Sequence, residues 1–397
     1  MENIGILVPD KKGGGIFQYG LSIADSLIKY SNRYNYKIVT HSFESFNWLA
    51  YTKYGNVDHI FISNKKSTLK NKIKIMCNLV VNNNFFNIQE KEIISKIKKH
   101  QIKLLIIPFP SLFGYKNKIP YIVTIPDMMH KYFPSFPEYP LKEKITRNIV
   151  YKNASKHSLL TIVESQQGVD DLDKFFRIPK EKIKIIPLVP AGYIYKYKNM
   201  NLEISESIIK KFNLPEKFLF YPAQFWYHKN HIRLVKSLKI LKNFYNVKIY
   251  LVLVGSPKES YKKIMNFIKK SDISNQIICL DYVSDKEIVA LYKKAVALVY
   301  PSLFGPTNIP PLEAMLLGTP VICSNLFSMP DQIDDAGLLF NPFEVKDMTD
   351  KIYKIWVDKD LRNDLIRKGY KKAKNITLER YAKQWEAVID EALERIK

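Results

Sequence analysis

Tyr300–Thr319 reads YPSLFGPTNIPPLEAMLLGT. An apolar strand, Ala297–Tyr300, runs into a loop of Ser, Gly, Pro, Thr and Asn. Pro310 and Pro311 then open a helix that carries one carboxylate, Glu313. Proline suits the first helical turn because it has no N–H to leave unpaired and its φ is already near the helical value. The N–H groups at a helix start point into the preceding loop, where the local dipole favours an anion. A phosphate-bearing ligand fits there, with Glu313 one turn in and able to accept hydrogen bonds from ribose hydroxyls. The plainer alternative is an ordinary strand–loop–helix connection with a capped start.

Outward from this segment, short β-rich runs alternate with longer helical patterns, which predicts parallel sheets covered by helices. In the first half the predicted strands are Ile4–Val8, Tyr36–Thr40, His59–Ile62, Leu104–Pro108, Tyr121–Ile125 and Leu159–Val163. The proline-rich KIIPLVPAG, residues 184–192, ends that series, and a domain boundary is expected there. The alternation restarts with strands at Phe218–Pro222, Lys248–Val254, Ile277–Leu280, Ala297–Tyr300, Pro320–Ser324 and Gly337–Phe340. From Lys346 onward the pattern is helical. The expected fold class is α/β with two doubly wound domains, residues 1–193 and 194–377, and a closing helix at 378–397. Such sheets bind ligands beyond the carboxyl ends of their strands.

A chain of 397 residues with 46% hydrophobic content supports two cores. Its three cysteines, Cys77, Cys279 and Cys323, are scattered without metal-ligand spacing, which fits a reducing compartment. The N-terminal MENIGILVPD lacks the charged start and long apolar core of a signal peptide. No apolar run approaches the ~20 residues of a membrane span. The expected location is cytoplasmic. A net charge of +24 is spread along the chain, with concentrations at Lys65–Lys74 and Lys96–Lys103. Such charge suits an anionic membrane surface, a phosphate-bearing substrate or simply solvated lysine faces. No nucleic-acid-binding pattern accompanies it.

Three further loops follow predicted strands. Gly13-Gly14-Gly15 opens the first helix, where glycine permits close approach to a ligand; a flexible turn is the alternative. It is neither GxGxxG nor GxxxxGK[ST]. FWYHKNH, residues 225–231, puts Lys229 at a strand end, where a compact positive charge can offset a diphosphate or simply face solvent. IPDMMH, residues 125–130, offers Asp127 and His130 as polar groups near a reacting centre, or as a helix cap and a surface histidine. Asp171-Leu172-Asp173 has DxD spacing but is read as capping at a helix start.

The opening segment, FYPAQFWYHKNHIRL (residues 220–234) and the glycine loop together resemble the retaining nucleotide-sugar glycosyltransferases of family 4. The resemblance covers nearly the whole chain and is weak through 42–100. It implies the GT-B architecture: two Rossmann-like domains facing each other across a cleft, with the C-terminal helix crossing back to the N-terminal one. The N-terminal domain would bind the acceptor and the C-terminal domain the donor. The family commonly bears two glutamates eight positions apart. The second falls on Glu313 and is implied to hold ribose hydroxyls, whereas Gly305 replaces the first, near the donor sugar. Backbone amides of Thr307, Asn308 and Ile309 are then expected to carry more of the grip. Lys229 matches the family's phosphate-binding lysine, but the matching arginine is Gln224, with Arg233 a substitute. Tyr282 and Val283 match backbone contacts to the base. Gly14 and Gly15 match the N-terminal loop that approaches the diphosphate and acceptor. Asp127 matches the second residue of a His-Asp pair whose histidine is Pro126 here, with His130 a partial replacement.

The activity this implies is transfer of a sugar, with retained configuration, from a nucleotide diphosphate sugar to a hydroxyl of a glycan or polyprenyl-type lipid-linked acceptor. Bacterial surface-polysaccharide assembly is the expected setting, and the anionic inner membrane surface a further expected partner. No cofactor, metal or nucleic acid is implied. Aromatics expected to be exposed at Tyr132, Phe133, Phe136 and Tyr139 suit a lipid-linked acceptor. A sugar-nucleotide epimerase or phosphorylase of the same fold, or a non-catalytic nucleotide-sugar-binding protein, is the alternative.

Overall fold

The computed structural model describes residues 1–9, 14–62, 91–281 and 283–396. Gly13, Tyr282, Cys77 and the Lys65–Lys74 stretch lie outside the described residues. The chain divides into two compact units. The first comprises residues 1–128, 141–187 and 378–397, and the second residues 129–140 and 188–377. The sequence-based boundary at 193/194 falls inside the Gly192–Tyr197 helix of the second unit.

In the first unit the strands are β1 (Asn3–Leu7), β2 (Asn35–Thr40), β3 (His59–Phe61), β4 (Ile102–Ile107), β5 (Tyr121–Thr124), β6 (Leu160–Val163) and β7 (Ile183–Ile185). They form one sheet in the order β3-β2-β1-β4-β5-β6-β7, and every pairing is parallel. A parallel sheet is covered on both faces, so its strands read as nearly continuous apolar runs. Ile4, Ile6, Leu7, Leu104, Leu105, Ile106 and Ile107 are accordingly buried. The Leu378–Glu394 helix packs on the Gly15–Tyr30 helix within this unit. Tyr381, Trp385 and Ile389, one helical turn apart, form its buried stripe.

The second unit holds β8 (Phe218–Pro222), β9 (Tyr250–Val254), β10 (Ile277–Leu280), β11 (Ala297–Tyr300), β12 (Val321–Ser324) and β13 (Leu338–Phe340). They form a parallel sheet in the order β10-β9-β8-β11-β12-β13. The order reverses direction at β8 and β11, which pair through Ala297 with Leu219 and Leu298 with Phe220. The loops leaving these neighbouring strands therefore flank the switch point at their carboxyl ends, where doubly wound sheets bind ligands.

Residues 129–140 form a strap on the second unit. Phe133 stacks on Phe136 at 4.6 Å, Phe136 meets Tyr227 edge-on at 5.0 Å, and Tyr132 meets Phe327 at 5.1 Å. Tyr139 is buried, and Tyr132, Phe133 and Phe136 are half-buried against it and Phe304. The expectation of an exposed aromatic patch is thus corrected: the rings gain more by packing on one another than by facing water. A second correction concerns Asp171. It lies mid-helix in Gln166–Phe176, buried, accepting from Gln167 Nε2 at 2.8 Å, and Ser165 holds the N-cap position instead. Among the described residues no helix is long and apolar enough to cross a membrane.

Candidate functional site

The β8 and β11 loops converge on one polar network in the second unit. After β8 the chain makes a short 3-10 turn at Tyr227–Lys229, which ends at Asn230 with φ +61. Asn230 tolerates this left-handed conformation better than most residues. Its Nδ2 donates to the carbonyls of Pro301 at 3.1 Å and Pro342 at 2.9 Å. The turn is thereby fastened to the start of the β11 loop. Leu303 N donates to His228 O at 2.7 Å, a second fastening.

Lys229 Nζ consequently reaches Tyr300 Oη at 2.8 Å and Ser302 Oγ at 3.4 Å. Both acceptors are neutral. Among the described residues Lys229 has no carboxylate partner; its half-buried ammonium lies between the two hydroxyls, 5.0 Å from the centroid of the Tyr300 ring. Tyr300 Oη in turn donates to Asn308 Oδ1 at 3.0 Å. Asn308 is the N-cap residue of the Ile309–Leu317 helix, and Pro310 and Pro311 lie in its first turn as the sequence anticipates. One chain of hydrogen bonds thus joins the lysine to the helix start.

The loop between them is shaped by Gly305. Its φ is +130, and a Cβ there would come within 2.7 Å of the Asn308 side chain. Asn308 Nδ2 donates to Gly305 O at 3.4 Å. The backbone itself therefore demands glycine at this position, which accounts physically for the missing carboxylate. Asn308 N is already taken by Gln332 Oε1 at 2.9 Å. Of the three amides expected to carry the donor grip, that one is engaged internally.

Glu313 is 4% exposed. Its Oε2 accepts from Tyr292 Oη at 2.8 Å, and its Oε1 from Tyr193 Oη at 3.3 Å and Ala191 N at 3.4 Å. Burial pushes its carboxyl up to about 7, against the opposing pull of these donors. A ribose hydroxyl would have to replace one of them, and the long Tyr193 contact is the weakest side-chain candidate. Because the folded state holds this proton more tightly than the unfolded chain, stability falls as pH rises from about 4.5 to about 7. Glu313→Gln removes that dependence. The variant is expected to gain stability relative to wild type between pH 5 and pH 8 in denaturant titrations, and a constant difference across that range contradicts the buried titration.

The remaining candidates distribute as follows. Gln224 Nε2 donates to Ser256 Oγ at 2.8 Å while its Oε1 accepts from Trp226 Nε1 at 3.0 Å, so its amide braces the loop. Arg233 donates to Asn230 Oδ1 at 3.1 Å. Val283 directly precedes the capping residue Ser284 of the Asp285–Lys294 helix. In the first unit, Gly14 takes φ +59 as the N-cap of the Gly15–Tyr30 helix, and Gly15 has open space where a Cβ would stand. Asp127 lies 3.7 Å from Arg147. His130 is buried in the strap beside Tyr139, so Asp127 and His130 fall in different units.

Sequence reasoning missed two carboxylates, Glu138 and Glu259. Glu138 Oε1 accepts from both the backbone N and the ring Nδ1 of His228, each at 2.9 Å. Burial would raise the Glu138 carboxyl, but these donors outweigh it and hold it below the usual range. Glu259 accepts from Tyr227 N at 2.8 Å, and there burial prevails and raises the carboxyl. The PEYP run around Glu138 carries no site signal, because its partner lies ninety residues away in sequence.

These two sheets define the GT-B glycosyltransferase fold, and residues 204–372 match the family model for glycosyl transferases group 1. The similarity to solved structures runs over almost the whole chain. It reaches TM-score 0.76 with Anabaena Alr3699/HepE in complex with UDP and glucose, at 14% identity, covering 98% of this chain and 100% of that one. The lipopolysaccharide-biosynthesis glycosyltransferase WaaG gives 0.70 at 15% identity, covering 98% and 99%. Among curated relatives, the O-antigen chain mannosyltransferase RfbU of Salmonella typhimurium is 27% identical over 56% of this chain and 57% of its own length. The O-antigen chain mannosyltransferase B of Escherichia coli is 26% identical over 61% and 64%. The chain thus spans less than two thirds of the length of these relatives.

Proposed function

We propose that the protein is a retaining glycosyltransferase. It would move a sugar from a nucleotide diphosphate sugar to a hydroxyl of a glycan or lipid-linked acceptor in bacterial surface-polysaccharide assembly. The observation that carries this reading is the Lys229 ammonium, held by Tyr300 and Ser302 with no carboxylate partner among the described residues, at the carboxyl end of the β8/β11 switch point. Cleavage of the donor puts negative charge on the departing diphosphate and positive character on the anomeric carbon. A fixed cation beside a helix start stabilises that leaving group without reorganising. Attack by the acceptor hydroxyl from the leaving-group face, its proton passing to the departing phosphate, needs no protein nucleophile. The glycine loop and Asp127 of the first unit are assigned to the acceptor side. The O-antigen mannosyltransferase relatives and the UDP-sugar complex of HepE support donor and setting.

A panel of nucleotide sugars tested by thermal stabilisation, followed by transfer assays with product anomers read by NMR, tests the proposal. A donor at 100 times its Kd should stabilise the protein by about 2.7 kcal/mol. Absence of any stabilisation, or inverted product, defeats it. We place the reaction at the cytoplasmic face of an anionic membrane, supported by the basic last turn of the Lys91–Lys99 helix. Binding to anionic vesicles that does not weaken with added salt would count against this placement.

A further inference from the structure

We infer that Glu138, held by His228, is a sugar-hydroxyl acceptor in the donor site of the second unit. The inference rests on the nucleotide-sugar reading above and names the group that grips the sugar rather than the nucleotide.

The Glu138 side chain is 6% exposed and ionised at neutral pH, since its carboxyl lies below the usual range. Its Oε1 is committed to His228, which donates from both backbone and ring. Its Oε2 is buried and has no hydrogen-bond partner among the described residues. A buried carboxylate oxygen without a donor is costly, so this atom calls for an O–H or N–H from outside the fold. The strap makes the position rigid. Pro137 and Pro140 flank the Glu138–Tyr139 pair, Tyr139 is buried, and two bonds converge on one oxygen.

The location selects the class of donor. His228 directly precedes Lys229 in the chain, and its carbonyl accepts from Leu303 N, two residues before Gly305. Glu138 therefore stands beside both loops of the switch point. In a nucleotide sugar the hexose is bonded to the terminal phosphate, so a group next to the phosphate-facing lysine meets sugar hydroxyls. Phe136 and Tyr227, in edge-on contact at 5.0 Å, add half-buried aromatic surface suited to the C–H face of a pyranose. A cationic ligand group is disfavoured by the neighbouring Lys229.

Glu138→Gln tests the assignment. The amide oxygen can keep the His228 bonds while an NH₂ donor replaces the Oε2 acceptor. Calorimetric titrations with UDP, GDP, UDP-glucose and GDP-mannose are compared for wild type and variant. The expected result is bare nucleotide affinity within about twofold of wild type, with the bound nucleotide sugar weakened ~10–100-fold. Equal loss for nucleotide and nucleotide sugar, or no loss for either, overturns it. If wild type binds none of the four, the donor reading itself fails, which is a separate outcome. Deoxyfluoro analogues of the bound sugar keep the test independent of the variant's folding. One of them should bind wild type ~10-fold or more weakly, because fluorine cannot donate to Oε2, and uniform affinity across the analogues overturns the assignment.

Discussion

Replacing Lys229 by methionine is expected to lower donor turnover by about 10²–10³-fold, the cost of removing one fixed donor from a developing negative charge. The fold should tolerate the change. Tyr300 Oη keeps its bond to Asn308 Oδ1 at 3.0 Å, and Ser302 Oγ keeps its bond to Phe304 O at 2.6 Å. Neither hydroxyl is left unsatisfied, and methionine retains most of the side-chain volume. Thermal stability should therefore move little while kcat collapses. Arginine should not rescue, because its planar fork cannot reproduce a point contact between two hydroxyls. The measurement is initial-rate kinetics with the donor found by the nucleotide-sugar panel. Turnover within threefold of wild type would remove Lys229, and with it the leaving-group account, from the mechanism.

Gly305→Glu is the second large effect, and its direction runs against a purely family-based expectation. By the family resemblance it would restore the carboxylate expected beside the donor sugar. In this structure it places a side chain at φ +130 and drives a Cβ to within 2.7 Å of the Asn308 carboxamide. A non-glycine residue held in such backbone costs about 1–3 kcal/mol. The clash must also displace Asn308, which holds Tyr300 and hence Lys229. Both stability and turnover should fall. Gly305→Ala separates the causes, since it carries the same strain without the charge. Equilibrium unfolding of both variants is the check. A Gly305→Glu protein as stable as wild type, and more active, would show that the loop readily adopts another path.

Much of the scaffold was legible because parallel strands buried on both faces leave continuous apolar runs. Phe218–Pro222, Ile277–Leu280 and Ala297–Tyr300 emerge in the structure with the bounds read from sequence. Lys229 and the Asn308–Pro311 helix start were legible because they follow such runs directly. Asp171 misled because its helix begins at Gln166, upstream of the apparent start. The aromatics of 129–140 misled because a short segment rich in rings has no period that reveals what covers it. Glu313 stands out in the sequence, but its partners Tyr193 and Tyr292 do not, since neither occupies a strand-end loop.

By itself the sequence determined what is local: two series of alternating strands and helices, the strand-end loops, and the residue types placed in them. These follow from hydrophobic period, proline and glycine, which act over a few residues. Tertiary structure alone decided which loops meet. The adjacency of β8 and β11 sets Lys229 against Tyr300, although the two are 71 positions apart. The strap brings Glu138 to His228 across 90 positions. Whether position 305 can carry a side chain depends on where Asn308 has folded. Strand order and long-range contacts are chosen by burial of the whole core, and no local pattern encodes that choice.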